Sequence, residues 1–504
     1  MPGVLRAAGS QAGARPITWW LPLNNNVSIS YANLGDTPFG KGLMERTGTQ
    51  IKFFHPPSGG SNEQFNLMVA DGNLPDLMEY SWLTYPGGPE KAIADRVIIP
   101  LNDVFKKYCP NLTAFLKAHP EYDKMIRTDN GNYYCFPMIR PDPKLLNATG
   151  LVVRKDWLKE LNLAVPTTID EWYTVLKAFK EKKKGVPLAF ESFFLLSHEM
   201  PFPYAFNTKY GFYVDMNGKV RLGQVDPGYR DFLATMAKWY KEGLIDPDFS
   251  TATFDQVSAK MTSGISGASV GYMASRLGVW NTSGQATNPN FKLVPAPMPA
   301  PSKGTISKFS PIAIPYNYAG GCVAITTSCT DIERAARLLD WGYSQEGYLF
   351  YNYGIEGESY NMVNGLPVAT DLVNKNPRII GSYARSSYNG PFIQASQRLI
   401  TSATIALPPD EDAAIVWSIP ESLDRVIPPV TPTLEESREY AAIMNDVNTY
   451  ANEMILKFIL GLENLSKWDT YLSVINSLGL PRALEIQNKA LDRYNKRTMG
   501  KGSL

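Results

Sequence analysis

The chain has 504 residues, 44% of them apolar and 19% charged, a balance that excludes a disordered polyelectrolyte and a membrane-embedded protein. Forty-nine basic residues against 48 acidic leave a formal charge of +1 with no basic stripe, which argues against a nucleic-acid partner. At this length two or three folding units with sizeable cores are expected.

Met1 to Arg15 is Gly/Ala-rich with no apolar stretch of a secretion signal, and reads as a flexible segment. Ile17 to Leu23 and Ile51 to Phe54 read as strands, with the tail of a helix over Gly40 to Arg46 between them. Ser61 and Gln64 are spaced as a capping box, starting a helix that Asp71-Gly72 stops. Leu74 to Met78 enters a third strand, and the strand–helix–strand rhythm argues for a mostly parallel sheet. The pattern resumes at Gly150. Leu151 to Val153 is a strand, and Thr168 with Glu171 caps a helix that buries Trp172, Val175, Leu176 and Phe179. Lys182-Lys183-Lys184 falls at the end of that helix, where cations suit the helix dipole. Pro227 opens another helix, ended by Gly243. Residues 281–321 are rich in Pro, Gly and Ser and read as a crossing between two lobes. Beyond it the chain turns helical, with boxes at Thr330/Glu333 and Thr433/Glu436, the latter opening a helix that runs to Gly461.

Catalytic constellations are weak. His55, His119 and His198 form no metal or base motif and read as structural. Gly267-Ala268-Ser269-Val270-Gly271 matches the nucleophile-elbow pattern without its strand-to-helix context. The stronger rival is glycoside hydrolysis by paired carboxylates, from Glu356 and Glu358 or from Asp410, Glu411 and Asp412. Cys109, Cys135, Cys322 and Cys329 show no zinc spacing. Free buried thiols are preferred to a Cys109–Cys135 disulfide.

A binding cleft is better supported. Trp157, Trp172, Trp239, Trp341 and Trp468 fall in helices and read as core, whereas Trp82, Trp280 and Trp417 lie in loops or at element ends. Of the adjacent Trp19 and Trp20, at most one is expected to face the core. Trp82 directly follows a strand, and in an open α/β sheet the carboxyl ends of the strands line the ligand crevice. Aromatic faces stack on sugar C–H faces, and planar polar groups meet the hydroxyls. The candidate ligand-binding set is Trp82, Trp280, Trp417, Arg276, Tyr80, Tyr204 and Glu358.

Several segments resemble the extracellular solute-binding lipoproteins that serve oligosaccharide ABC transporters in Gram-positive bacteria. They are Leu67 to Asp76, Arg154 to Leu158, Pro166 to Trp172, Trp239 to Phe249, Asn352 to Tyr360 and Ala490 to Asn495. The resemblance implies a type II periplasmic-binding-protein fold, two α/β lobes joined by a hinge, with a helical C-terminal part. It divides the chain into a flexible segment 1–15, a first lobe of 16–149 plus 306–370, and a second of 150–305 plus 371–504. It implies a non-catalytic, monomeric protein that captures an oligosaccharide between its lobes and delivers it to permease subunits. It also implies an export signal and a lipid-anchored cysteine holding the protein at the cell surface, neither of which is in this chain. Many members carry a calcium loop after the helix that begins near Thr168; here Lys180 to Pro187 lacks the oxygen ligands, so no calcium and no cofactor is expected.

Overall fold

The computed structural model describes residues 14–57, 59–183, 185–309, 318–386, 389–402, 407–419 and 424–497. In chain order the first-lobe strands are β1 (Ile17–Trp20), β2 (Ile51–Phe54), β3 (Leu77–Tyr80) and β4 (Phe136–Ile139). The second lobe adds β5 (Thr149–Arg154), β6 (Val186–Ala189), the hairpin β7 (Phe212–Val214) and β8 (Val220–Leu222), β9 (Ser266–Tyr272) and β10 (Leu293–Ala296). The chain then returns with β11 (Tyr318–Ile325) and a hairpin of β12 (Tyr360–Val363) and β13 (Leu366–Ala369).

The first sheet has the order β2-β1-β3-β11-β4. Strands β1 to β4 run the same way and β11 runs against them. Trp19 and Trp20 point to opposite faces, yet both are buried, because helices cover both faces of the sheet. Trp20 lies beside Phe65 and donates its indole N–H to Gln64 at 2.9 Å. The expected capping box at Ser61 is therefore not made: Gln64 is spent on Trp20, and the helix Ser61–Asp71 starts from Gly60 without a side-chain cap.

The second sheet has the order β10-β5-β9-β6. Strands β6, β9 and β10 run together and β5 opposes them. Pro295 sits in β10, an edge strand, where a missing N–H is tolerated. The helices Ile169–Lys183 and Pro227–Lys241 pack here through the residues their periodicity singled out, Trp172, Val175, Leu176 and Phe179 among them. The Thr433/Glu436 capping box forms as expected, and the 27-residue helix Leu434–Leu460 buries Val447, Ala451, Ile455 and Phe458 in the same core. The shorter helices Trp468–Ser477 and Leu480–Lys496 complete it.

Three expected boundaries are corrected. The described residues of 371–402, placed with the second lobe, pack on the first: Phe392 joins its core, Ile393 bridges to Ile139, and Arg385 pairs with Glu79. Phe309, placed with the first lobe, packs against Tyr204 and Tyr213 of the second. Within segment 1–15, residues 1–13 lie outside the described residues, and Arg15 is fixed by Asp76 at 2.6 and 2.7 Å. The Pro-rich stretch also holds more regular structure than its composition suggests, namely the helix Val279–Thr287 and β10.

Candidate functional site

Strand direction determines where the lobes can share a site. Strand β4 leads through residues 140–148 directly into β5. The carboxyl ends of β1 to β4 therefore meet the amino end of β5, and with it the carboxyl ends of β6, β9 and β10. Ligands of open α/β sheets bind at such ends. The lobes touch there: Arg398, from the first-lobe segment, reaches the Met273 sulfur at 3.2 Å and the Asp412 carboxylate at 2.6 Å.

On the first-lobe side, Trp82 and Tyr80 lie at the end of β3, as expected from sequence, but as part of a ring cluster. Tyr80 stacks on Phe65 with centroids 3.6 Å apart, and Phe65 and Tyr85 also flank Trp82, which is fully buried. The loop after β1 is pinned by His55, whose Nδ1–H donates to the Leu21 carbonyl (2.9 Å) while Nε2 accepts from the Leu34 amide (3.0 Å). Burial lowers the pKa of this ring, so it holds the loop as a neutral imidazole.

On the second-lobe side, Tyr204, Trp280 and Trp417 come together in one apolar cluster. Trp417 lies flat on Gly150 at the start of β5, where a Cβ would stand 2.4 Å from the indole, and it donates to the Ala296 carbonyl at 3.1 Å. Tyr204 donates its hydroxyl to the His198 carbonyl at 2.6 Å. Arg276 is not a free cation. It makes a bidentate ion pair with Glu191 (3.0 and 2.6 Å), and its guanidinium sits among the rings of Phe194, Phe254, Tyr272 and Trp280. Beside it, Tyr272 donates to Glu199 at 2.7 Å. Burial pushes the Glu199 carboxyl up, against the pull of Tyr272 and Arg276.

The three tryptophans read from sequence as lying in loops or at element ends are all buried. Trp82 is flanked by Phe65, Tyr80 and Tyr85, and Trp280 lies under Arg276, so position in a loop did not imply an open face. The indole N–H groups of Trp82 and Trp280 are buried without an acceptor among the described residues. Glu358 stands exposed before the β12–β13 hairpin, beside Tyr383.

The rival carboxylates are scattered. Glu356 is exposed near Glu358. Burial raises the Glu411 carboxyl, but Lys155 and Lys292 outweigh it and hold the group ionised. Asp412 caps the helix Ala413–Val416 and pairs with Arg398. Ser269 lies in the middle of β9, fully buried, which is not a nucleophile elbow. Cys109, Cys135 and Cys329 are buried; the Cys322 side chain lies outside what is described. At the expected calcium position the helix Ile169–Lys183 is separated from β6 by residues 184–185 alone, and Lys180 donates to the Glu242 carbonyl at 2.5 Å. Among the described residues no group of three His, Cys, Asp or Glu could hold a metal ion.

Sequence reasoning missed Glu79, Glu191, Glu199 and Arg385. The one available signal was an acid inside the otherwise apolar and aromatic strand Leu77-Met78-Glu79-Tyr80.

The sequence profile of a family described as bacterial extracellular solute-binding protein matches residues 33–348. The chain is 24% identical to lipoprotein LipO of Bacillus subtilis (strain 168), over 68% of this chain and 67% of that protein. It is 23% identical to the fructooligosaccharide ABC transporter substrate-binding protein FusA of Streptococcus pneumoniae serotype 4, over 90% of this chain and 86% of that one. The structure of FusA with kestose superposes with a TM-score of 0.78 at 21% identity, over 95% and 99% of the two chains. That of the alginate-binding protein AlgQ2 without calcium ion superposes with a TM-score of 0.72 at 26% identity, over the same shares.

Proposed function

This chain belongs to the bacterial extracellular solute-binding protein family, and from that premise we propose that it captures an oligosaccharide between its lobes for an ABC transporter. The reading is supported chiefly by two α/β sheets whose strand ends face one another across the passes of the chain. Family relatives add the ligand class, since FusA is named for fructooligosaccharides and AlgQ2 for alginate.

The mechanism follows from how such a site is built. A sugar that touches both lobes binds the closed arrangement better than the open one and shifts the population toward closure. Tyr80 and Trp82 would form the first-lobe floor, and Tyr204, Trp280 and Trp417 the second. Arg276, committed to Glu191, would position Trp280 rather than bind a carboxylate. The protein acts as a monomer outside the cell, held at the membrane by a lipid anchor and handing its ligand to permease subunits.

Calorimetric titration with kestose and with alginate oligosaccharides, with product analysis on the same samples, tests this. Saturable binding without new products is the expected outcome. Cleavage of either sugar would instead favour a glycosidase.

A further inference from the structure

The last helix of the second lobe, Leu480–Lys496, does not end in solvent; its final turn and Arg497 close on a turn of the first lobe. Asp129 accepts from Arg493 Nε (2.7 Å), from Arg497 Nε (2.8 Å) and from Arg497 Nη2 (2.5 Å). Arg497 spends its remaining nitrogen on the first-lobe carbonyls of Arg127 (2.5 Å) and Lys124 (3.3 Å). Lys124 lies over the Tyr494 ring at 4.8 Å. The turn that carries Asp129 is itself held: the Thr128 amide donates to the Asn132 carbonyl at 3.0 Å, and the Asn132 side chain donates to Glu90 at 2.9 Å.

The same corner is packed closely. Arg493 donates to the Thr431 carbonyl at 2.9 Å. Thr431 and Ser437 lie against Gly88 and Gly87, where a Cβ would meet them at 2.8 Å. Both glycines also have positive φ, so the first-lobe helix Gly88–Ala94 can start there only with residues lacking a side chain.

We propose that Asp129, Arg493 and Arg497 form a clasp between the lobes that fixes the axis on which they open and close. Single-chain passes constrain relative rotation only through the few residues that absorb it. A carboxylate receiving three guanidinium N–H bonds is charge-assisted and directional. Arg497 is only 8% exposed, so salt screens the cluster weakly. The clasp thus acts as a non-covalent link between the lobes, removing twisting motions and leaving one hinge. This rests on the reading that the lobes move to take up ligand.

Spin labels on Lys117→Cys and Lys241→Cys, both exposed and one in each lobe, report the distance between lobes, since the native Cys109, Cys135 and Cys329 are buried. In ligand-free protein, Asp129→Ala is expected to at least double the width of that distance distribution. Arg497→Gln, near the chain end and least able to disturb folding, is expected to broaden it less. Distributions that superpose on the parent's for both variants would overturn the clasp, including where the melting temperature falls. No ligand is added, so failure to bind any sugar would count against the transport reading and leave this result standing.

Discussion

At the facing ends of its sheets each lobe buries one carboxylate against one arginine, Glu79 with Arg385 and Glu191 with Arg276, but the two pairs are built differently. Arg385 divides itself: one nitrogen meets both Glu79 oxygens at 3.0 and 3.1 Å and also gives the Asn389 carbonyl a 2.6 Å bond. Burial pushes the Glu79 carboxyl up and Arg385 pulls it back. That pair ties a segment 306 residues away onto β3. Arg276 instead gives separate nitrogens to the two Glu191 oxygens and is enclosed by rings, Phe194 and Phe254 at 4.8 Å. The first pair anchors a loop 306 residues along the chain; the second joins residues 85 apart within the second lobe and props Trp280. The same chemistry thus serves long-range assembly in one lobe and side-chain positioning in the other.

Removing the acids sharpens this contrast most. Glu191→Ala leaves Arg276 buried without its partner and is expected to cost about 3–5 kcal/mol in urea unfolding. Glu79→Ala is expected to cost less, because Arg385 keeps the Asn389 carbonyl. Equal losses would show that the two pairs do the same work.

A smaller effect is expected at the second-lobe floor. Gly150→Ala drives a methyl into Trp417 and should destabilise by about 1–3 kcal/mol, with a shift in tryptophan emission. Unchanged emission would mean that Trp417 is not seated on that strand.

Acidity should separate Asp76 of the first lobe from Glu199 of the second by sign. Burial raises the Asp76 carboxyl in the first lobe, but Arg15 and the Thr18 amide and hydroxyl outweigh it, and its pKa is lowered. Its contribution to stability is present above the ordinary aspartate range and lost as pH falls. Glu199 in the second lobe is raised by burial, so its contribution is present at low pH and lost as pH climbs through its raised value. In melting curves between about pH 3 and 8, Asp76→Asn should flatten the acid limb and Glu199→Gln the fall toward neutrality, a tenfold change in proton affinity on folding being worth about 1.4 kcal/mol. The smallest effect is expected from calcium. With Lys180 on the Glu242 carbonyl, adding calcium or EDTA should move the melting midpoint by less than about 1 °C.

Much of the fold was legible from local patterns. The Thr433/Glu436 box, the Trp172 face and the strand–helix rhythm describe contacts made within a few residues, or burial of a periodic stripe. What escaped depends on distance along the chain. Nothing local to Arg385 says that it reaches Glu79, and nothing local to Phe392 assigns it to the first lobe. The candidate site was legible in part. The strand-end positions of Tyr80 and Trp82 follow from sequence, whereas β9, which leads to Arg276 and Trp280, is hidden by its Ser/Gly-rich composition. The Ser61 box failed because Trp20 claimed Gln64.

The central claim is closure of two lobes on an oligosaccharide, and small-angle scattering tests it most directly. The protein would be measured alone and saturated with the tightest sugar from a thermal-shift panel. A smaller radius of gyration at unchanged mass is the expected result. A tightly bound sugar that leaves the radius unchanged would contradict it.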